Sequence, residues 1–275
     1  MKTTFSENRI IDHPRRTILT IYTGPERFYF SLYDPEEAGS YFYKEFANEN
    51  KTDPFSVFKE TFFDTAFLSL PFRKVWIMNR TPGFAFVPHS FYKDEYKDDF
   101  MRFLFSEQKG IILTDSISHT GIKVVYQLPE EVYQFMLRSF PQSEFIHYST
   151  PVITYFIKNG KRFDASQMVV NFQEKGVDIF CFSGKTFLLG NYFPCNGLSD
   201  MLYYILFTWK QLQLDQLNDY LHIAGNFAIK DDLINKLTPY FRNIYSLSDF
   251  SKIYFEGIET EKIPFELAAL SLCGL

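Results

Sequence analysis

The chain is poor in cysteine and lacks long apolar runs. Its 275 residues include three cysteines, an odd number without paired spacing, so neither a disulfide-stapled secreted domain nor a zinc cluster is predicted. The longest strongly apolar stretch, residues 201–209, is far shorter than the roughly 20 residues that span a bilayer. No signal peptide is readable at the N-terminus. We therefore expect a cytoplasmic protein without a membrane span.

Positive charge is not in excess either. Lys plus Arg number 28 against 33 Asp plus Glu, which gives a formal net charge of −5 and predicts no nucleic-acid-binding surface. The five histidines are scattered, with no pair at metal-binding spacing, and no Gly-x-Ser-x-Gly motif is present. No metal ligand and no catalytic residue is therefore predicted.

Aromatic residues, by contrast, are abundant. The chain contains 33 Phe and 18 Tyr, while its 46% hydrophobic and 22% charged residues are typical of a globular protein. Because aromatic residues favour strands and bury large areas, Phe28, Phe30, Phe180 and Phe182 are predicted to fill the core. The aromatic cluster at residues 84–92 is predicted to be core as well, the alternative being an exposed patch for a protein partner.

Two segments half a chain apart share one order of predicted elements. Residues 18–78 are interpreted as three strands, a helix that begins near Pro54, and a returning strand. Residues 168–224 repeat that order, with a helix from Leu198 and a returning strand at 220–224. This duplication predicts two lobes of the same architecture.

The boundary between the lobes is predicted near Pro151, which can begin a helix that joins them. Residues 1–150 then form the first lobe, and the strands and helices around 84–145 are interpreted as an insertion in it. Residues 151–275 form the second lobe.

The duplicated unit resembles a pair of ribonuclease H-like lobes. The turn at Gly24, the strand pair at 168–182, the turn at 224–226 and the closing segment 264–270 resemble an actin-like ATPase. In layout the chain is similar to the pilus-assembly and cell-division actin-like proteins, and more closely to an uncharacterised bacterial family, a domain of unknown function with this fold. The resemblance implies an α/β fold whose two lobes, each a mixed sheet flanked by helices, face each other across a cleft. ATP and Mg²⁺ are the cofactors it implies, while the residues themselves assign none.

Three turns correspond to the nucleotide-binding turns of the actin-like family. At the first, Thr23 and Gly24 are the candidate cleft residues, but Tyr22 occupies the place of an acidic residue and Pro25 removes a backbone N–H. A plain hairpin turn is the alternative interpretation.

At the second turn, Asn171 replaces the Asp of the family pattern and Gln173 replaces a glycine. Asn171, Gln173 and Asp178 are candidate cleft residues. A neutral amide is a poor Mg²⁺ ligand, and a Gln side chain fills the space that a phosphate would use. Asp178 is either a solvated residue or the partner of a turn amide.

At the third turn, Gly225 and Asn226 stand where the family has paired glycines against the adenosine. An ordinary strand-to-helix turn is the alternative interpretation. These two residues complete the set of candidate cleft residues.

The altered turns favour a degenerate, non-hydrolysing scaffold or partner-binding protein, because phosphoryl transfer depends on positioning and metal-assisted charge stabilisation. The expected partner is another protein of unknown identity, and no oligomeric state is predicted. The alternative is a divergent Mg²⁺-dependent ATP-binding protein, ATPase or kinase that uses displaced acids such as Glu26, Glu174 or Asp178.

Overall fold

The structure is a computed structural model that describes residues 13–25, 27–47, 54–81, 83–105, 110–118, 120–159, 165–173, 175–225, 230–247, 253–255 and 260–275. Its strands are β1 (Ile18–Thr23), β2 (Arg27–Tyr33), β3 (Phe42–Ala47), β4 (Lys74–Asn79), β5 (Phe84–Pro88), β6 (Ile111–Ile117), β7 (Ile122–Leu128), β8 (Glu144–His147), β9 (Ser166–Gln173), β10 (Gly176–Ser183), β11 (Thr186–Pro194), β12 (Tyr220–Ala224) and β13 (Asn243–Ser246). Its α-helices are α1 (Pro54–Asp64), α2 (Lys97–Leu104), α3 (Glu130–Ser139), α4 (Ser149–Asn159), α5 (Leu198–Gln211), α6 (Lys230–Leu237) and α7 (Phe265–Cys273).

The chain divides into two compact units. Unit 1 contains residues 1–116, 121–150 and 251–258, and unit 2 contains residues 117–120, 151–250 and 259–275. The chain therefore leaves unit 1, forms most of unit 2 and then returns to unit 1 for one short segment.

Unit 1 is built on a five-stranded mixed sheet in the order β3-β2-β1-β4-β8. The first three strands are antiparallel neighbours, whereas β4 and β8 run parallel to β1. The central strand β1 is buried on both faces except at its last residue, as a continuous apolar run predicts. One face packs against α1 and α3, where Phe58 and Met136 join a core that includes Phe28 and Phe30.

The second layer of unit 1 is a small three-stranded sheet in the order β5-β7-β6. It packs with α2 around Val87, Met101 and Val125. The helix α3, which the sequence places in the same inserted segment, packs against the five-stranded sheet instead, because its apolar side chains complete that core.

Residues 253–255 belong to unit 1 although they follow the strands of unit 2. The backbone N–H of Tyr41 donates to the carbonyl oxygen of Tyr254 at 3.0 Å. The ring of Tyr254 lies 5.1 Å from that of Tyr33, and the ring of Phe255 lies 4.5 Å from that of Tyr41. These contacts cover Tyr33 of β2 and Tyr41, the residue before β3.

Unit 2 repeats the five-stranded plan in the order β11-β10-β9-β12-β13. Its antiparallel and parallel pairings match those of unit 1 strand for strand. One face of the sheet packs against α5 and α6. On the other face, the ring of Phe182 stacks on that of Phe156 of α4, with the ring centroids 5.3 Å apart. The ring centroid of Phe265 of α7 lies 6.0 Å from that of Phe156.

The prediction of a duplicated mixed α/β architecture is confirmed. The four core phenylalanines predicted from the sequence are all buried, with at most 2% of any of them exposed. Of the cluster at residues 84–92, Tyr92 is core whereas Phe91 is 72% exposed. The four-residue strands β8 and β13 were not predicted, because neither is long enough to show an alternating pattern.

Candidate functional site

The carboxyl ends of β9 and β12 meet at one edge of the unit 2 sheet. The two strands are parallel, and Ala224 lies beside Asn171. Asp178 of β10 is the other neighbour of Asn171. The fold thus brings Asn171, Gln173, Asp178 and Gly225 together, as the resemblance requires of the residues at its second and third turns.

Asn171 is 1% exposed and does not face open space. Its Nδ2 donates to Oε2 of Glu266 at 3.2 Å, and Glu266, in the first turn of α7, is itself only 4% exposed. A buried carboxylate needs donors to offset its desolvation, and the amide supplies one. Glu266 was not predicted from the sequence, because it lies 95 residues from Asn171 and carries no spacing signal.

Asp178 is completely buried rather than half-exposed. Its Oδ2 accepts a hydrogen bond from Nε2 of Gln173 at 2.9 Å. Of the two predicted roles, the solvated residue is wrong, because the side chain lies inside the sheet with an amide as its partner. The donor comes from a side chain beside the β9–β10 turn.

The residues of this edge do not fit the phosphates and Mg²⁺ of a nucleotide in the way the family pattern requires. Among the described residues of this edge, the carboxylates of Asp178 and Glu266 each accept a hydrogen bond from a side-chain amide. Amide oxygens are weaker Mg²⁺ ligands than carboxylates. Within the part of the chain that the structure describes, no group of three or more His, Cys, Asp or Glu could hold a metal ion.

Gly225 has a physical requirement for glycine. Its φ is +95°, a conformation that side-chain-bearing residues rarely adopt, and a Cβ there would lie 3.0 Å from the carbonyl oxygen of Phe172. The glycine lets the end of β12 approach the backbone of β9. Asn226 lies outside the described residues, as do Glu26 and Glu174.

The equivalent edge of unit 1 is formed by β1 and β4. Thr23 lies beside Asn79, whose Nδ2 donates to Oγ1 of Thr23 at 2.8 Å. Tyr22, at the place of the family's acidic residue, is 3% exposed and packs against Tyr29 with ring centroids 4.8 Å apart. A buried phenol ring cannot replace a metal-binding carboxylate.

A cavity of about 330 Å³ opens beside this edge, and we call it the β1–β4 pocket. It lies wholly within unit 1. Its lining residues are Thr23, Gly24, Pro25, Phe28, Phe55, Phe58, Asn79, Arg80, Thr81, Gly83, Gln127, Leu128, Pro129 and Val132. Thr23 and Gly24, the candidates predicted at the first turn, therefore line a pocket, while most of its wall comes from residues that the sequence analysis did not single out.

The polar residues of the pocket come mainly from the end of β4. Asn79, Arg80 and Thr81 follow one another where the apolar strand ends, and Gln127 is added from β7. Polar residues directly after a buried strand are the one sequence signal that could have indicated them, because the carboxyl ends of parallel strands are frequent ligand sites.

A family model described as "Protein of unknown function (DUF3822)" matches residues 6–244. The chain belongs to this family. Among solved structures it is similar to a Bacteroides thetaiotaomicron protein with an actin-like ATPase fold and unknown function, at 22% identity and a TM-score of 0.82 over 96% of this chain and 98% of that one. It is also similar to a chain of the PilM–PilN type IV pilus biogenesis complex, at 11% identity and a TM-score of 0.60 over 94% of this chain and 98% of that one. No curated protein matches the chain significantly.

The predicted actin-like ATPase fold is confirmed by these similarities, and so is the resemblance to a family of unknown function. Identities this low establish the fold alone. None of the helices in the described segments is long and apolar enough to cross a membrane.

Unit 1 of this DUF3822 protein also contains a buried polar cluster close to the end of β8. The carboxylate of Asp115 accepts hydrogen bonds from Oγ1 of Thr150 at 2.6 Å, from the backbone N–H of His147 at 2.7 Å and from the hydroxyl of Tyr126 at 3.3 Å. Burial raises the pKa of Asp115 to about 6, although these three donors lower it in part.

His147 completes this cluster. The residue is completely buried, and its Nδ1 lies 2.7 Å from Oγ of Ser149. Burial lowers the pKa of His147 well below its ordinary value, and the positive charge of Arg80 lowers it further. The imidazole is therefore neutral at physiological pH, and the cluster is a packed polar network rather than a solvent-accessible acid–base pair.

Proposed function

We propose that this DUF3822 protein is a cytoplasmic scaffold or partner-binding protein that retains the actin-like ATPase fold without hydrolysing ATP. We treat residues 1–150 and 151–275 as its two ribonuclease H-like lobes and assign it no catalytic residue. The partner that we expect is another protein.

One observation carries this proposal: Asp178 and Glu266, the carboxylates that the structure describes at the unit 2 edge, each accept a hydrogen bond from a side-chain amide. Asn171 donates to Glu266, and Gln173 donates to Asp178. Phosphoryl transfer relies on a metal and on backbone groups that surround the phosphates. An edge whose acids are paired internally supports a role for the fold in shape and surface rather than in chemistry.

The fold neighbour from the PilM–PilN type IV pilus biogenesis complex gives further support. That structure is a complex of proteins, so a chain with this fold does assemble with a partner there. The similarity supports the class of function only and indicates no partner for the present chain.

The decisive test is calorimetric titration of the purified protein with ATP and Mg²⁺, repeated with ADP, beside a phosphate-release assay. We expect no binding up to about 1 mM nucleotide and no phosphate release. Micromolar binding with turnover would contradict the proposal and favour the divergent ATPase. Nucleotide binding without phosphate release would show that the nucleotide site is retained. It would leave the other part of the proposal, the absence of ATP hydrolysis, in place.

A variant pair sharpens this test. Asn171→Asp with Gln173→Gly restores the residue types of the family pattern, and Asn191→Asp on the exposed surface of β11 is the matched control. If the amides are what blocks nucleotide binding, the double variant gains measurable ATP affinity and the control does not. Equal titration curves for all three proteins would show that these two amides are not the block.

A further inference from the structure

One side of the β1–β4 pocket is an aromatic wall held by its own packing. Phe28 of β2 and Phe58 of α1 are at most 2% exposed, and their ring centroids lie 5.2 Å apart in an edge-to-face arrangement. The ring of Phe55 is stacked on that of Phe58, with the centroids 6.4 Å apart. Packed rings of this kind form a preformed apolar surface, so a ligand needs an apolar body to match it.

Two side-chain amides also belong to the lining of this pocket, on Asn79 at the end of β4 and on Gln127 of β7. Nδ2 of Asn79 donates to Oγ1 of Thr23 at 2.8 Å. The backbone N–H of Gln127 donates to the carbonyl oxygen of Gly83 at 3.2 Å. These bonds fix the positions from which the two side chains extend.

The other polar atoms of these amides are Oδ1 of Asn79, an acceptor, and Nε2 of Gln127, a donor. Both are buried, and neither has a hydrogen-bond partner within the described segments. A buried polar atom without a partner lowers stability, so the pair favours a group that brings one donor and one acceptor. The terminal torsions of Asn and Gln are broad, so each amide can tilt toward the cavity without leaving its rotamer.

The arrangement favours a neutral group over an anion. Arg80 is the only ionisable side chain among the lining residues that the structure describes, and its Cζ lies 5.3 Å from the ring centroid of Tyr148, which is not one of them. Because that cation has an aromatic partner outside the lining, we assign it no role in binding. A carboxylate has no donor for Oδ1 of Asn79 and would lose hydration beside an apolar wall.

We infer that the β1–β4 pocket binds a neutral small molecule that carries a primary carboxamide on a compact aromatic or aliphatic body. The ligand N–H donates to Oδ1 of Asn79, and its carbonyl oxygen accepts from Nε2 of Gln127. The body contacts the phenylalanine wall. A cavity of about 330 Å³ is at the small end of the range for ligand pockets, which favours a short amide over a long-chain lipid.

This inference goes beyond the proposed function and does not rest on it. The pocket lies wholly within unit 1, whereas the amide–carboxylate pairs that carry the proposed function belong to unit 2. The inferred ligand also has no phosphate. Titrations with nucleotide and titrations with an amide can therefore fail independently.

The test is titration of the wild-type protein with 3-phenylpropanamide, by calorimetry and ligand-detected NMR. Two comparison compounds keep the same body. In 4-phenylbutan-2-one a methyl group replaces the amino group, so the carbonyl stays and the donor is lost, and 3-phenylpropanoate loses the donor and gains a charge. We expect the amide to bind with a Kd below about 1 mM and at least about tenfold more tightly than either comparison compound. Equal or weaker binding of the amide, or no amide binding up to about 10 mM, would overturn the inference.

Two substitutions of the amides assign the contacts. Asn79→Ala removes the acceptor, so the amide should bind at most about twofold more tightly than the ketone. Gln127→Leu removes the donor to the carbonyl that amide and ketone share, so both should bind about fivefold more weakly with their ratio kept. Asn191→Ala removes an amide from the exposed surface of β11 and should change neither affinity. A tenfold preference for the amide that persists in folded Asn79→Ala protein would overturn the inference.

A third substitution tests the location without changing a polar group. Val132→Phe places a larger side chain in the lining and is expected to remove binding of both the amide and the ketone, because it fills the cavity. Thermal unfolding curves establish that each variant is folded. Undiminished amide binding by folded Val132→Phe protein would place the ligand elsewhere and would also overturn the inference.

Discussion

The two five-stranded sheets of this protein share one strand order but differ at the edge where their parallel strands end. In unit 1, Asn79 at the end of β4 has an amide oxygen without a hydrogen-bond partner among the described residues, and it lies beside an open cavity. In unit 2, Asn171 near the end of β9 is buried against a carboxylate, and Gln173 binds a second one. The strand order is duplicated, whereas the side-chain contacts at the edge differ between the two units.

This difference shows that topology and chemistry are separable within one chain. The strand order decides where the carboxyl ends meet, and thus where a ligand can approach. The side chains at that edge then decide whether the space is open, as in unit 1, or closed by internal pairs, as in unit 2. Four predictions test the comparison.

The largest effect is expected from breaking a pair in unit 2. Asn171→Leu removes the amide that donates to Glu266, whose carboxylate stays buried. We expect the free energy of unfolding to fall by about 2–3 kcal/mol, measured by chemical denaturation. Asn191→Leu, on the exposed surface of β11, is the control. A loss no larger than that of the control would mean that the pair does not hold the edge closed.

Asp115, a partly buried carboxylate of unit 1, gives a pH-dependent contrast. The pKa of Asp115 is raised from 3.8 to about 6 in the folded protein, so the unfolded chain releases this proton first as the pH rises. Asp115 therefore contributes a loss of stability between about pH 4 and 6. As the pH rises from about 4 to 6, the free energy of unfolding of the wild type should therefore fall by up to about 2 kcal/mol relative to that of Asp115→Asn.

Denaturation curves of the wild type and of Asp115→Asn, recorded from pH 4 to pH 7, measure this difference at each pH. The lowered pKa of His147 has the opposite effect, a loss of stability as the pH falls. His147 is present in both proteins, so this loss is common to the two sets of curves. Asn191→Ala, on the exposed surface of β11, removes no titratable group and should give a constant difference. A constant difference for Asp115→Asn as well would refute the raised pKa.

A glycine comparison tests how tightly the unit 2 edge is closed. Gly225 and Gly184 both have positive φ, but within the described segments a Cβ would crowd the carbonyl oxygen of Phe172 at Gly225 and would meet nothing within 4 Å at Gly184. Both alanine substitutions place a side chain on backbone with positive φ, which is strained. In Gly225→Ala the added Cβ is also crowded by the carbonyl oxygen of Phe172. Gly225→Ala should therefore destabilise by about 1 kcal/mol more than Gly184→Ala in thermal unfolding. Equal losses would show that the edge can relax.

The smallest effect is expected at the open edge. Asn79→Ala removes one neutral hydrogen bond to Thr23 together with an amide oxygen that has no partner in the described part of the chain. We expect a loss of about 1 kcal/mol or less, clearly below that of Asn171→Leu. If Asn79→Ala cost as much as Asn171→Leu, the two edges would be equally closed, and the comparison would fail.

The sequence predicted the repeated order of elements because alternating apolar strands and a helical period are local signals. Asn171, Gln173 and Gly225 were chosen from the resemblance to the actin-like turns, and the pairing of β9 with β12 brings the ends of their strands to one edge of the sheet. Their partner Glu266 was not predicted, because no local pattern links residues that far apart. The burial of Asp178 was also missed, since a strand covered on both faces lacks the polar alternation that marks an exposed side.

The β1–β4 pocket could not be predicted as a unit. Its wall combines β2, α1 and the start of α3, and its polar end combines the end of β4 with Gln127 of β7. Each of these segments alone has the composition of ordinary core. A cavity arises only from the volume that the packed segments leave unfilled, which is a property of tertiary packing.

The return of residues 253–255 to unit 1 has a consequence for synthesis on the ribosome. Tyr33 and Tyr41 are translated long before Tyr254, which covers them. Domains generally fold in the order in which they are made. Here unit 1 stays incomplete until Tyr254 has been translated, so a nascent or truncated product that ends before Tyr254 exposes tyrosine surface to chaperones and proteases.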